Sequence, residues 1–225
     1  MITVKVNGEE RQYPQGATYE DVANDYQKEY DNLIALAARD GKIRELFKKL
    51  TRDCEITFFT LKDNVGNKTY VRSATMLFLK AVFDVYGREA AQNCRVEFAV
   101  GNGSYISPRG QIASTADNAA KIQDRMRELV AAKTPFLKRS YALDNAMELF
   151  HTEGMKDKEK LFRYRRGSFV NIYEMDGYYD YYYGYMLPNA GYVKWFDVIA
   201  YDEGFMLLLP CLLYTSPSPR DRSVS

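Results

Sequence analysis

Between residues 71 and 85 apolar side chains return at three- and four-residue steps: Val71, Ala74, Thr75, Phe78, Ala81, Val82 and Val85, with Gly87 where a helix would stop. A long helix is therefore expected here, and its surroundings must supply a surface for that apolar stripe. On its N-terminal side, "ITVKVNGEERQYP" alternates about Asn7-Gly8, the dipeptide most favoured in a two-residue hairpin. On its C-terminal side, "CRVEFAVGNGSYIS" reads as strand, Gly-rich turn and strand. Helices mixed with antiparallel-looking strands place the chain in the α+β class.

The remaining segments fill in that outline. "ATYEDVANDYQ" carries Thr18 with Asp21 three positions on, a variant of the capping box, and Val22, Ala23 and Tyr26 share one helical face. Short strands are expected around "LIALAARDGKIR", with a turn at Asp40-Gly41, and at "CEITFFTL". Hairpin, helix and short strands within the first sixty or so residues make a compact unit of β-grasp (ubiquitin-like) type. "STADNAAKIQDRMRELVAAKTP" reads as a second long helix, capped by Ser114 or Thr115, with Ile122, Met126, Leu129 and Val130 inward and Pro135 beyond its end. "LDNAMELFHTEG" and "KDKEKLFRYRR" read as shorter helices, and "FVNIYEM", "VKWFDVIAYD" and "GFMLLLP" as closing strands.

Bulk properties exclude several classes. At 225 residues there is length for one large domain or two smaller ones. Lys plus Arg number 31 against 30 Asp plus Glu, so the net charge of +1 gives no general attraction to nucleic acid, though a local basic patch is compatible with it. No apolar run is long enough to span a bilayer, and the N-terminus has no signal-peptide pattern. Cys54, Cys94 and Cys211 are scattered without metal-ligand spacing, which fits a reducing cytoplasm and no membrane association. The tail "CLLYTSPSPRDRSVS" is expected to be foreign: Cys211 to Asp221 reads as one frame of a transposase-type sequencing adapter. Residues 211–225 are accordingly set aside from fold reasoning, and the chain is expected to be the front of a longer protein.

Local chemistry is sparse. "VGNGSYISPRG" has no Lys in a GK[ST] context, so it reads as a tight turn rather than a P-loop. His151 is the single histidine and is expected at the surface or near a helix end. Asp197, Asp202 and Glu203 read as turn residues rather than an acid/base pair. "KDKEKLFRYRR" presents Lys156, Lys158, Lys160, Arg163, Arg165 and Arg166 beside Phe162 and Tyr164, either a basic patch for phosphates and bases or a solvated helix face. No catalytic residue and no metal-ligand set is evident. Residues 178–202, "YYDYYYGYMLPNAGYVKWFDVIAYD", hold eight of the tyrosines and the only tryptophan. They are read either as sheet packing through Tyr192, Trp195, Phe196 and Tyr201, or as the wall of a pocket.

Taken in order, these elements resemble the N-terminal half of threonyl-tRNA synthetases, a TGS domain followed by a second additional, editing-type domain. "ITFFTLKDNVG" is similar to the exit of the TGS domain, "VRSATMLF" to the start of the following helix, and "NGSYI" to an "NGFYY"-like turn. "MRELVAAK" and "YYGYMLPNAGYVKWF" match a later helix and loop. The resemblance implies a β-grasp TGS domain over 1–62 and, over 63–210, an α+β domain of the threonyl-/alanyl-tRNA synthetase second-additional type. In that family two histidines, a cysteine and a further histidine form a metal-ligand-like cluster, and the positions matching them are Arg72, Met76, Tyr182 and Met186. Editing hydrolysis is therefore not carried over.

The same pair of domains with the same losses also resembles the front end of bacterial uridine kinase-like nucleoside kinases. That resemblance implies a parent enzyme transferring phosphate from ATP, with Mg²⁺, on a kinase domain that lies beyond this chain, residues 1–210 being a non-catalytic, regulatory or nucleotide/RNA-binding part. The alternative is a free-standing tRNA- or RNA-binding module without editing activity. In either case a retained pocket is expected from Arg72, Met76, Tyr182, Tyr183, Tyr185, Met186 and Lys194, with a nucleotide or an RNA end as its ligand.

Overall fold

A computed structural model describes residues 1–163 and 167–210, the side chains of residues 156 and 157 excepted. The adapter-like tail lies outside the described residues. Contacts divide the chain into two compact units, Met1–Tyr70 and Val71–Pro210.

In the first unit, strands β1 (Ile2–Val6) and β2 (Glu9–Tyr13) form the expected hairpin. Asn7 and Gly8 both take positive φ, 52° and 89°, as a two-residue turn matched to strand twist requires. Helix α1 (Tyr19–Tyr26) starts at a complete capping box. The Thr18 hydroxyl accepts from the Asp21 amide at 3.2 Å, and the Asp21 carboxylate accepts from the Thr18 amide at 2.7 Å. Such a cap contributes about 1 kcal/mol. The helix buries Tyr19, Val22, Ala23 and Tyr26. β3 (Ile34–Arg39) and β4 (Lys42–Glu45) make a second hairpin through Asp40 and Gly41, again both at positive φ. β5 (Cys54–Thr60) then enters the middle, parallel to β1 and antiparallel to β3. The order β2-β1-β5-β3-β4 is the arrangement expected of a β-grasp unit.

Helix α2 (Asn64–Tyr86) begins at a close backbone approach: a Cβ at Gly66 would lie 2.0 Å from the Thr60 carbonyl oxygen. In the second unit this helix is central. Residues 73–82 are buried without interruption, so the face is wider than the stripe read from sequence and includes Met76, Leu77, Leu79 and Lys80, while Val85 is 37% exposed. The cause is packing on two sides. Phe78 meets Phe205 at 6.3 Å between ring centroids, and Phe83 meets Tyr178 at 5.7 Å. These aromatic partners belong to two different sheets.

After α2 come the short helix α3 (Arg88–Asn93), the hairpin β6 (Arg95–Val100) and β7 (Gly103–Ser107), and α4 (Ala116–Ala131) capped by Thr115. Ile122, Met126 and Leu129 of α4 are buried; Val130, expected inward, is half-buried. The chain continues through β8 (Leu137–Ala142), α5 (Leu143–Thr152), α6 (Lys156–Arg163), β9 (Phe169–Met175) and β10 (Tyr178–Asp180). β11 (Asp197–Tyr201) and β12 (Gly204–Leu208) close it. The sheets are β10-β9-β8 and β11-β12-β7-β6, each antiparallel. The molecule is thus α+β, as the sequence indicated. Among the described residues no helix is long and apolar enough to cross a membrane.

Candidate functional site

The tyrosine-rich segment divides its side chains between packing and surface. Tyr178 is buried against Phe83, Tyr181 meets Phe162 edge-on at 5.0 Å, and Tyr182 meets Tyr173 edge-on at 6.5 Å. Trp195 and Tyr201, assigned to sheet packing in one reading of the sequence, are instead 49% and 52% exposed. Trp195 falls in the loop before β11, which starts only at Asp197, and Tyr201 lies on the outward side of its edge strand.

The seven residues expected to line a pocket differ in exposure and in the contacts they make. Arg72 Nε donates to the Tyr185 carbonyl at 3.0 Å, and a Cβ at Gly184, whose φ is 134°, would fall 2.7 Å from the guanidinium carbon. Arg72 therefore holds the 184–185 backbone at close quarters, which only glycine permits. One turn along, Met76 is fully buried, as is Met186. Ser73 Oγ accepts the Leu187 amide at 2.9 Å and donates to the Met186 thioether at 3.9 Å. These contacts fasten the loop after β10 to α2. Tyr185 is half-buried, Tyr183 is 87% exposed and Lys194 is exposed.

Tyr182 lines a cavity of about 230 Å³, shared with Thr75 and Leu79 of α2, Cys94, Lys158 of α6 and Asp180. Asp180 is 4% exposed. Its Oδ1 lies 3.0 Å from Lys158 Nζ and accepts the Tyr181 amide at 2.7 Å, so its charge is matched. The phenolic oxygen of Tyr182 is buried without a hydrogen-bond partner. Burial first, then the neighbouring Asp180 charge, pushes its pKa well above the ordinary tyrosine value, so it stays protonated. Burial also pushes the Cys94 thiol up to about 12, which removes the thiolate needed of a nucleophile at neutral pH. A larger groove of about 390 Å³ runs between α4 and β11. Its Gln123 accepts the Val198 amide at 2.6 Å and its Arg127 pairs with Asp124 at 3.2 Å.

The donor set does not suit the metal cluster of the resembled family. Two buried thioethers, a guanidinium that cannot ligate and a protonated phenol give no hard or borderline site for a divalent ion. Among the described residues no group of three or more His, Cys, Asp or Glu side chains is arranged to hold a metal.

The expected basic patch is partly tied up. Lys158 is paired inward with Asp180, and Arg163 pairs with Glu159 at 3.2 Å; Lys160 is exposed. Lys156 begins α6, its side chain outside the described residues, as are Arg165 and Arg166. His151 is at the surface in the last turn of α5, with Nδ1 3.2 Å from Glu159. Asp202 and Glu203 form the β11–β12 turn, as read. Sequence reasoning placed Lys158 on a surface patch and missed Asp180. The available signal was a single carboxylate flanked by tyrosines in "YYDYYY", a setting where an acid is retained only if a cation meets it.

No family model matches the chain. Among curated proteins it is similar to threonine–tRNA ligases. It is 27% identical over 213 residues to that of Thermotoga maritima, covering 91% of this chain and 31% of the ligase. It is 25% identical over 194 residues to that of Porphyromonas gingivalis, covering 84% and 29%, and 28% identical over 189 residues to that of Rhizobium etli, covering 83% and 28%. The chain thus spans under a third of the length of these relatives.

Proposed function

We propose that the chain is an RNA-binding module related to threonyl-tRNA synthetases, with a TGS domain over its first unit, and that it takes the 3′ end of a tRNA-like RNA at the Lys158–Asp180–Tyr182 cavity without hydrolysing it. One observation carries the reading: a cation and an anion are held in contact at a small cavity beside α2, among side chains that offer hydrogen bonds but no metal and no nucleophile. Similarity to threonine–tRNA ligases over more than four-fifths of the chain supports RNA as the ligand class. The expected nucleoside-kinase parent gains no support from these relatives, and the RNA-binding alternative takes its place.

The test is titration of the full chain against labelled tRNA. A charge-assisted contact is worth roughly 1.5–3 kcal/mol, so Lys158→Ala is expected to weaken binding about tenfold or more. Paired replacement of Lys158 and Asp180 by Ala and Asn, with thermal unfolding followed alongside, separates a lost contact from a disrupted fold. Undiminished affinity in both variants, or turnover of an aminoacyl-tRNA above the uncatalysed rate, would sink the reading.

A further inference from the structure

The outward face of the four-stranded sheet carries an apolar surface that the RNA-end reading does not use. Strand pairing places Ile199, Met206, Tyr105 and Phe98 in one row across all four strands. Val100 and Tyr201 stand two residues along on the outer strands and so share that face. The opposite face, with Val198, Leu207, Phe205 and Ile106, is core. On the outward face, Phe98 and Val100 of β6 and Ile199 and Tyr201 of β11 are 51, 59, 40 and 52% exposed, while Tyr105 and Met206 on the two inner strands are packed beneath them at 7 and 6%. The rings are ordered: Phe98 stacks on Tyr105 with centroids 4.9 Å apart, and Tyr105 meets Tyr201 edge-on at 6.1 Å. A preformed apolar surface of this breadth on a rigid sheet marks an interaction site.

Charge decides what fits there. Asp197 at the start of β11 and Asp202 and Glu203 at its far end are exposed. Glu97 lies on β6, where the bulge between Val96 and Phe98 adds a residue to the strand, and Arg109 approaches it only to 3.9 Å. Besides burial, the Asp202, Glu203 and Glu97 carboxylates hold the Tyr105 hydroxyl above its ordinary pKa, so their field reaches the centre of the surface. Stacked aromatics on a sheet face would suit bases, but a rim of carboxylates repels the phosphates of RNA and of an anionic membrane alike. It attracts cations.

We propose that this face docks a partner protein whose contact segment presents apolar side chains flanked by lysine or arginine. Phe98, Val100, Ile199 and Tyr201 would bury against the partner's apolar residues, and Glu97, Asp197, Asp202 and Glu203 would meet its cations at the rim. The face uses none of the lining residues of the RNA-end cavity, though β6 contributes Arg95 and Val96 to that cavity.

The probe is a labelled amphipathic peptide of leucine and lysine, titrated with the full chain by fluorescence anisotropy, with a leucine–glutamate peptide of the same pattern as its counterpart. The cationic peptide is expected to bind at least tenfold more tightly than the acidic one, and more weakly as salt is raised. Asp202→Lys with Glu203→Lys is expected to lose most of that preference, and Phe98→Ser with Tyr201→Ser to abolish binding, both with unchanged far-ultraviolet circular dichroism and tRNA affinity. Equal binding of the two peptides overturns the proposal, as does binding that survives both pairs of substitutions. Concentration-dependent dimerisation removed by Phe98→Ser with Tyr201→Ser would assign the face to a second copy of this chain, and single-stranded RNA bound there would assign it to nucleic acid; either result also overturns it.

Discussion

Asp180 sits 4% exposed between two tyrosines, its carboxylate met by Lys158 at 3.0 Å and by a backbone amide at 2.7 Å. A buried charge survives only with such partners, because desolvating it alone costs several kcal/mol. Cys94, on the same cavity, shows the converse. Its thiol is neutral and is raised by burial from an unfolded reference of 9.0 to about 12. The folded state therefore keeps this proton over a range in which the unfolded chain has lost it. The associated stability is complete below pH 9 and declines as pH rises toward 12, by up to about 1.4 kcal/mol per pH unit. Urea unfolding at pH 8, 9 and 10 is expected to show a shallower loss of stability in Cys94→Ala than in the parent; parallel slopes would refute the assignment.

At the scale of elements, the residues that set backbone geometry were the legible ones. Asn7-Gly8 and Asp40-Gly41 announce their hairpins because few other residue pairs accept two successive positive φ values. Thr18 and Asp21 announce the start of α1 because their side chains close a reciprocal bond. β8 was missed: "LKRSYA" forms an edge strand with little burial, so no apolar alternation marks it. α3 is too short for periodicity to show. The site was hidden for a related reason, since Lys158 and Asp180 are far apart in sequence and each looks ordinary until α6 and β10 bring them together. Gly66 gives an element-scale prediction. Gly66→Ala would drive a methyl group into the Thr60 carbonyl, and a backbone group cannot yield as a side-chain end can. A loss of about 2 kcal/mol or more is expected, read as a lowered thermal midpoint. An unchanged midpoint would mean that α2 starts differently.

For the whole molecule, the second unit is organised around α2, whose residues 73–82 are buried throughout and whose Phe78 and Phe83 meet side chains of the two sheets. Lys80 contributes to this at 2% exposure, its ammonium bonded at 2.7 Å to Asp84 and at 2.7 Å to the Asp176 carbonyl. Local opening cannot free these amides without parting α2 from two sheets at once. Hydrogen exchange at residues 73–82 is therefore expected to be among the slowest in the chain and to follow global unfolding. Fast exchange there, relative to the strands of the first unit, would contradict a central role for the helix.

The contact between Arg72 and the Tyr185 carbonyl has a consequence for substitution at position 72. A shorter side chain, histidine included, would not span the distance that the guanidinium covers, so the backbone beside Gly184 would lose this hold on α2. Nor would a histidine there gain a ligand set, since Met76 and Met186 are buried thioethers and Tyr182 keeps its proton. The guanidinium serves the protein as a strut.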